Sequence, residues 1–159
     1  MDKADKIGLS FGLTSATITI LGLMIGLEAG TGSRTAVAAG ILTIAIADAF
    51  SDALGVHLAK ESEGNFTKKE IRRATVSTFA YKFIFALTFL IPVVALPAAW
   101  SIYAAIAWGA LILIALNYYI AKTNNEKPLR VIQGHLLAAA AVIFLSWGAG
   151  TLISQIFKG

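Results

Sequence analysis

Apolar residues in this chain come in five long blocks separated by short polar, glycine- or proline-bearing breaks, without the three-to-four-residue rhythm of a soluble helix. A helix crosses the roughly 30 Å hydrocarbon core of a bilayer with about 20 apolar residues. By that measure, spans are expected at about 7–29, 35–58, 74–94, 98–121 and 129–156. The first stops at Gly30-Thr31-Gly32-Ser33, and a charged connector from Ala59 to Arg73 follows the second. Pro92 and Pro97 close the third, and the hydrophilic turn from Lys122 to Pro128 closes the fourth. The first block carries glycines and small hydroxyls and lacks a small-residue cleavage site, so it reads as a retained span and not a signal peptide. The expected fold is one all-α integral membrane domain over residues 1–159, with five transmembrane helices.

Composition agrees. Of 159 residues, 57% are hydrophobic and 14% charged, whereas soluble domains carry about 25% charged residues. There is no cysteine, which excludes disulfides and thiolate metal sites, and Met1 and Met24 alone offer a thioether. The placement of charge says more than its net value of +4. Alternate connectors on one side hold Lys3, Lys6, Lys60, Lys68, Lys69, Arg72, Arg73, Lys122, Lys127 and Arg130; the other side holds Arg34 and Lys158. The positive-inside rule then places the N-terminus in the cytosol and the C-terminus outside, which requires an odd number of spans. The partner implied is the lipid bilayer (the cell membrane, if the source is prokaryotic), and nothing points to nucleic acid.

Within the second span, Ile46-Ala47-Asp48-Ala49-Phe50-Ser51-Asp52-Ala53-Leu54-Gly55-Val56-His57-Leu58 holds two carboxylates four residues apart. On a helix they share one face, with Cβ atoms about 6 Å apart. Adjacent anions in hydrocarbon need a cation, a proton, water or a positive neighbour. At 1.5 Å per residue, Asp52 lies about 9 Å and Asp48 about 15 Å from the cytosolic end of their span, and Lys82 about 12 Å from that of the third. His135 comes out at about 9 Å and Asn117 at about 6 Å, with His57 at the rim. The hydroxyls of the first span (Thr14, Ser15, Thr17, Thr19) and Glu28 are expected in the other half.

Lys82 with one Asp would form a neutral pair between spans two and three, leaving the other carboxylate as a cation ligand or proton carrier. Asp48 and Asp52 are therefore the ion-pathway candidates; His57, Lys82, Asn117, His135, Glu61 and Glu63 are accessory ones. Oxygen and imidazole donors without thiolates suit Mg²⁺, Mn²⁺, Fe²⁺ or Zn²⁺ over Cu⁺. The plainer reading of His135 is a capped or water-exposed helix residue, and that of Asn117, with Tyr118 and Tyr119, an interfacial belt. Trp100, Trp108 and Trp147 read as lipid-facing or packing residues. Gly8 and Gly12, then Gly22, Gly26 and Gly30, mark close helix contacts, either within one subunit or across a seam between subunits.

Ile7-Gly8-Leu9-Ser10-Phe11-Gly12-Leu13-Thr14 resembles the opening of the vacuolar iron transporter family. Ala47-Asp48-Ala49-Phe50-Ser51-Asp52-Ala53-Leu54-Gly55, with Leu58-Ala59-Lys60-Glu61-Ser62-Glu63 after it, resembles that family's second span and the lysine-serine-glutamate run that follows. Ile91-Pro92 with Pro97, and Gly134 with Trp147-Gly148, also fit, so the likeness covers nearly the whole chain. The resemblance implies a homodimer whose first two spans line a path for Fe²⁺ or Mn²⁺, exported from the cytosol in exchange for protons. The chain departs from the family pattern in three places. Phe11 stands where members carry an Asp, Asp52 where they carry a metal-contacting Met, and the connector after the second span is short, with Glu61, Glu63 and Glu70 in place of the plant-type insert. One carboxylate has in effect moved from the first span to the second.

The function expected is that of a divalent metal transporter, not an enzyme, with no catalytic residue and no resident cofactor, the metal being cargo. Carboxylates must be deprotonated to hold metal, so loading releases protons. Two alternatives stand beside it. One is a transport-inactive scaffold in which Asp48, Asp52 and Lys82 form a structural cluster. The other is a Mg²⁺-dependent membrane enzyme, although phosphoester chemistry uses several Asp pairs and this chain offers one.

Overall fold

The computed structural model describes residues 3–157 as helices joined by tight turns: α1 (Lys3–Thr31), α2 (Arg34–Glu63), α3 (Lys68–Thr88), α4 (Leu90–Ala95), α5 (Ala98–Thr123) and α6 (Pro128–Phe157). Lys158 and the side chain of Lys3, both used in the orientation count, lie outside the described residues. With α3 and α4 taken as one interrupted span, five helical segments are long and apolar enough to cross a membrane. This is the build of a multi-pass membrane protein.

Local chemistry sets the helix ends. Gly32 turns the chain between α1 and α2 with φ +57°, and the Ser33 hydroxyl caps α2 by accepting from the Ala36 N–H at 3.2 Å. Gly64 ends α2 in the left-handed region at φ +68°. Thr67 and Glu70 then form a reciprocal capping box that starts α3. The charged connector expected from Ala59 to Arg73 is thus mostly helix, and only residues 64–67 are not. The facing ends of α2 and α3 carry charged residues, so hydropathy alone does not register those turns as helix. Pro92 cannot donate to the Thr88 carbonyl, so the third span breaks at Phe89 and resumes as α4. The Arg34 guanidinium covers the end of α4, donating to the Val94 carbonyl at 2.6 Å.

The odd spans run parallel, and α1 is the helix on which the others assemble, packing against α2, α3, α5 and α6. Its glycines make this possible. A Cβ at Gly8 would sit 2.7 Å from the Thr78 nitrogen of α3, and one at Gly22 would sit 2.7 Å from Val142 Cγ1 of α6. Gly30 and Gly26 face the Gly150 backbone, so α1 and α6 meet backbone to backbone. These glycines therefore serve packing within one subunit. Ile20, Met24, Ile41, Phe89, Val93 and Leu113 fill the apolar core around them.

Candidate functional site

Three helices converge on one ammonium. Lys82 of α3 is 2% exposed, and its Nζ lies 2.6 Å from Asp48 Oδ2, in ion-pair contact with Asp52 Oδ2, and 2.8 Å from the Ser15 Oγ of α1. Ser15 in turn donates to Asp52 Oδ2 at 2.7 Å. The local sequence explains the reach. Ala45, Ala49 and Ala53 belong to the buried stripe of α2, which packs against α1 and α3, and Asp48 and Asp52 directly precede Ala49 and Ala53, with Asp52 reaching Ser15 of α1. Gly12 clears the space on α1: a Cβ there would meet the Lys82 backbone nitrogen at 3.3 Å and the Thr78 carbonyl at 3.1 Å. On the opposite flank of α2, two residues from each Asp, Phe50 packs on Phe79 at 4.7 Å, and Phe79 stacks on Phe83 at 5.7 Å.

The sequence predicts a lysine matched to one carboxylate, with the second left over. Lys82 instead touches both, because Asp48 and Asp52 stand one turn apart and the ammonium enters between them. At formal charge the cluster still carries one excess negative charge. The carboxylates are not sealed in: their side chains are 23% and 21% exposed, against 2% for Lys82.

Ser15 departs from expectation. The expected place for the hydroxyls of the first span is the half away from the carboxylates, yet Ser15 lies nine residues beyond Lys6, about 14 Å along α1, level with Asp52 and Lys82. Counting the rise from the basic end of α1 locates it. Phe11, one turn below Ser15, is exposed and takes no part in the cluster.

The accessory candidates do not join the cluster. His57 Nδ1 lies 3.1 Å from Thr75 Oγ1 of α3, and its Nε2 lies 4.0 Å from Glu61. Glu63 pairs with Lys60 at 2.6 Å. His135 bonds back to the Val131 carbonyl at 3.0 Å, as expected of a helix-capped histidine. Asn117 corrects the interfacial reading: it is 1% exposed and donates to the Leu113 carbonyl at 2.8 Å, whereas Tyr118 and Tyr119 beside it are exposed. Their neighbouring positions point to different faces of α5, so only the tyrosines can form a belt. Among the described residues, no three His, Asp or Glu side chains converge on one metal position, so any cation at the cluster would rest on two carboxylates, a hydroxyl and water.

Comparison of the chain with protein-family models, with curated proteins and with solved structures gave no match in any of the three.

Proposed function

We propose that the Asp48–Asp52–Ser15–Lys82 cluster is a cation-exchange site and that the protein is a proton-coupled transporter of Fe²⁺ or Mn²⁺, working as a homodimer and moving metal out of the cytosol. The observation that carries this reading is the imbalance of the cluster: two partly exposed carboxylates share one buried ammonium. Lys82 then acts as a tethered placeholder that an arriving divalent cation displaces from the acidic oxygens. Hard oxygen donors favour ions such as Mn²⁺ and Fe²⁺ over soft ones. Protonation of either carboxylate weakens the site, which couples cargo to protons.

The dimer is supported by the outer face of α2. Thr35, Ala39, Thr43, Ala47, Ser51, Gly55 and Ala59 recur every fourth residue, and all are exposed. Small residues at this spacing let two helices approach closely, and Ala47 and Ser51 adjoin Asp48 and Asp52 in the chain. A second α2 seated there would bring the two sites toward a common seam. The orientation and the direction of export rest on the charge bias and on the resemblance to vacuolar iron transporters.

Mn²⁺ uptake into proteoliposomes under an imposed pH gradient tests the reading. Asp52→Asn is expected to abolish flux; flux at the wild-type level would remove Asp52 from the mechanism.

One set of observations favours a second reading, a structural pin. Lys82 has three oxygen partners, and among the described residues no buried side-chain nitrogen or oxygen lacks a hydrogen bond. A pin predicts no flux and no response to metal in any variant.

A further inference from the structure

We infer that the cleft between α3 and α5 binds one anionic phospholipid, with an acyl chain in the cleft and the phosphate at Lys6. This inference does not depend on the transport reading. The cleft holds about 460 Å³. Leu9 and Leu13 of α1 form its floor, and Phe85 of α3 with Trp108, Leu116 and Tyr119 of α5 form its walls. From Tyr119 to Trp108 is eleven residues, about 16 Å along the helix, close to the roughly 15 Å of hydrocarbon in one leaflet. The cleft therefore has the length of one acyl chain in one leaflet.

Its end gives the headgroup class. At Leu9 and Tyr119 the cleft continues into a polar pocket of about 70 Å³ that includes Lys6, Ser10, Thr123 and Asn124. The Ser10 hydroxyl already donates to the Lys6 carbonyl, and the Thr123 hydroxyl donates to the Tyr119 carbonyl at 2.8 Å. That leaves the Lys6 ammonium and the Asn124 amide as the donors suited to a phosphate. No carboxylate lines this pocket among the described residues. An apolar channel one leaflet long that ends on an ammonium matches a phospholipid of net negative charge better than a zwitterionic one.

Trp108 lies in the cleft and provides the probe. In the double variant Trp100→Phe/Trp147→Phe it is the only tryptophan of the three in the chain. The protein is reconstituted in vesicles containing either phosphatidylglycerol or phosphatidylcholine with dibrominated acyl chains, and quenching of Trp108 is measured against mole fraction. Phosphatidylglycerol is expected to be favoured about fivefold, the value of one ammonium near a lipid phosphate. Lys6→Gln is expected to remove the preference, and Ala115→Phe, which fills the cleft, to lower quenching by both lipids. Equal quenching by the two lipids overturns the inference, as does a preference that survives Lys6→Gln. Millimolar inorganic phosphate should leave the preference intact; its loss would make the polar pocket a free-phosphate site and overturn the lipid assignment.

Discussion

The two halves of α1 use the same device for different ends. In the half beyond Ser15, Gly22, Gly26 and Gly30 bring α1 against α6, where the facing atoms belong to Val142, Ser146 and the Gly150 backbone. In the half below it, Gly8 and Gly12 bring α1 against α3, and the closeness there places Ser15 beside Lys82 and, through it, both carboxylates of α2. Close approach in the first case makes a seam with no ionised side chain. In the second it assembles an ionised cluster that the bilayer would otherwise exclude. A glycine stripe thus reports that two helices meet; the residues on the facing helix decide whether the meeting is packing or chemistry.

The contrast can be broken from either half. The largest effect is expected from Lys82→Met, which leaves two carboxylates facing each other without a cation. Removing one partner of a buried ion pair costs about 3–5 kcal/mol, so thermal unfolding in detergent should shift down strongly. Adding Asp48→Asn and Asp52→Asn in the same chain should recover most of that loss. A smaller penalty, about 1–3 kcal/mol, is expected for Gly150→Ala. Its Cβ would collide with the Gly26 carbonyl and sit 3.0 Å from the Gly30 nitrogen, and backbone atoms yield only if α6 moves away. The smallest change in stability is expected for Gly12→Ala, whose neighbours lie at 3.1–3.4 Å and need to shift by only tenths of an ångström. Because those neighbours include the Lys82 backbone, Gly12→Ala should disturb Mn²⁺ flux more than the unfolding temperature. Gly150→Ala should do the reverse. Equal effects of both variants on flux would mean that the two halves of α1 are not functionally distinct.

Much of this was legible in the chain. Five apolar blocks correspond to five helical segments long and apolar enough to cross a membrane, and the level of Lys82 between Asp48 and Asp52 follows from the rise of a helix. Depth is a one-dimensional property that a sequence carries well. Azimuth is not: which side of a helix faces which neighbour depends on tertiary packing, and the departures at Lys82 and Asn117 are of that kind, whereas Ser15 departs in depth, because the rise has to be counted from the basic end of α1. Depth puts Lys82 between Asp48 and Asp52, but that their shared face of α2 turns toward α3, so that one ammonium reaches both, is an azimuth that depth does not give. Adjacency in the chain groups Asn117 with Tyr118 and Tyr119, although about 100° of rotation separates each residue from the next. The facing ends of α2 and α3 read as a connector in the sequence because their charged turns are held by a glycine cap and a capping box, which hydropathy does not see.

The most direct test of the cluster as a cation-exchange site is the shift in unfolding temperature produced by Mn²⁺ in the wild-type protein and in Lys82→Met. If the ammonium is a placeholder for cargo, removing it frees two carboxylates for the metal. Mn²⁺ should then stabilise Lys82→Met at concentrations at least about tenfold lower than the wild type needs, and restore much of the lost stability. A Lys82→Met protein that is destabilised and indifferent to Mn²⁺ would contradict the account and leave the lysine as a pin.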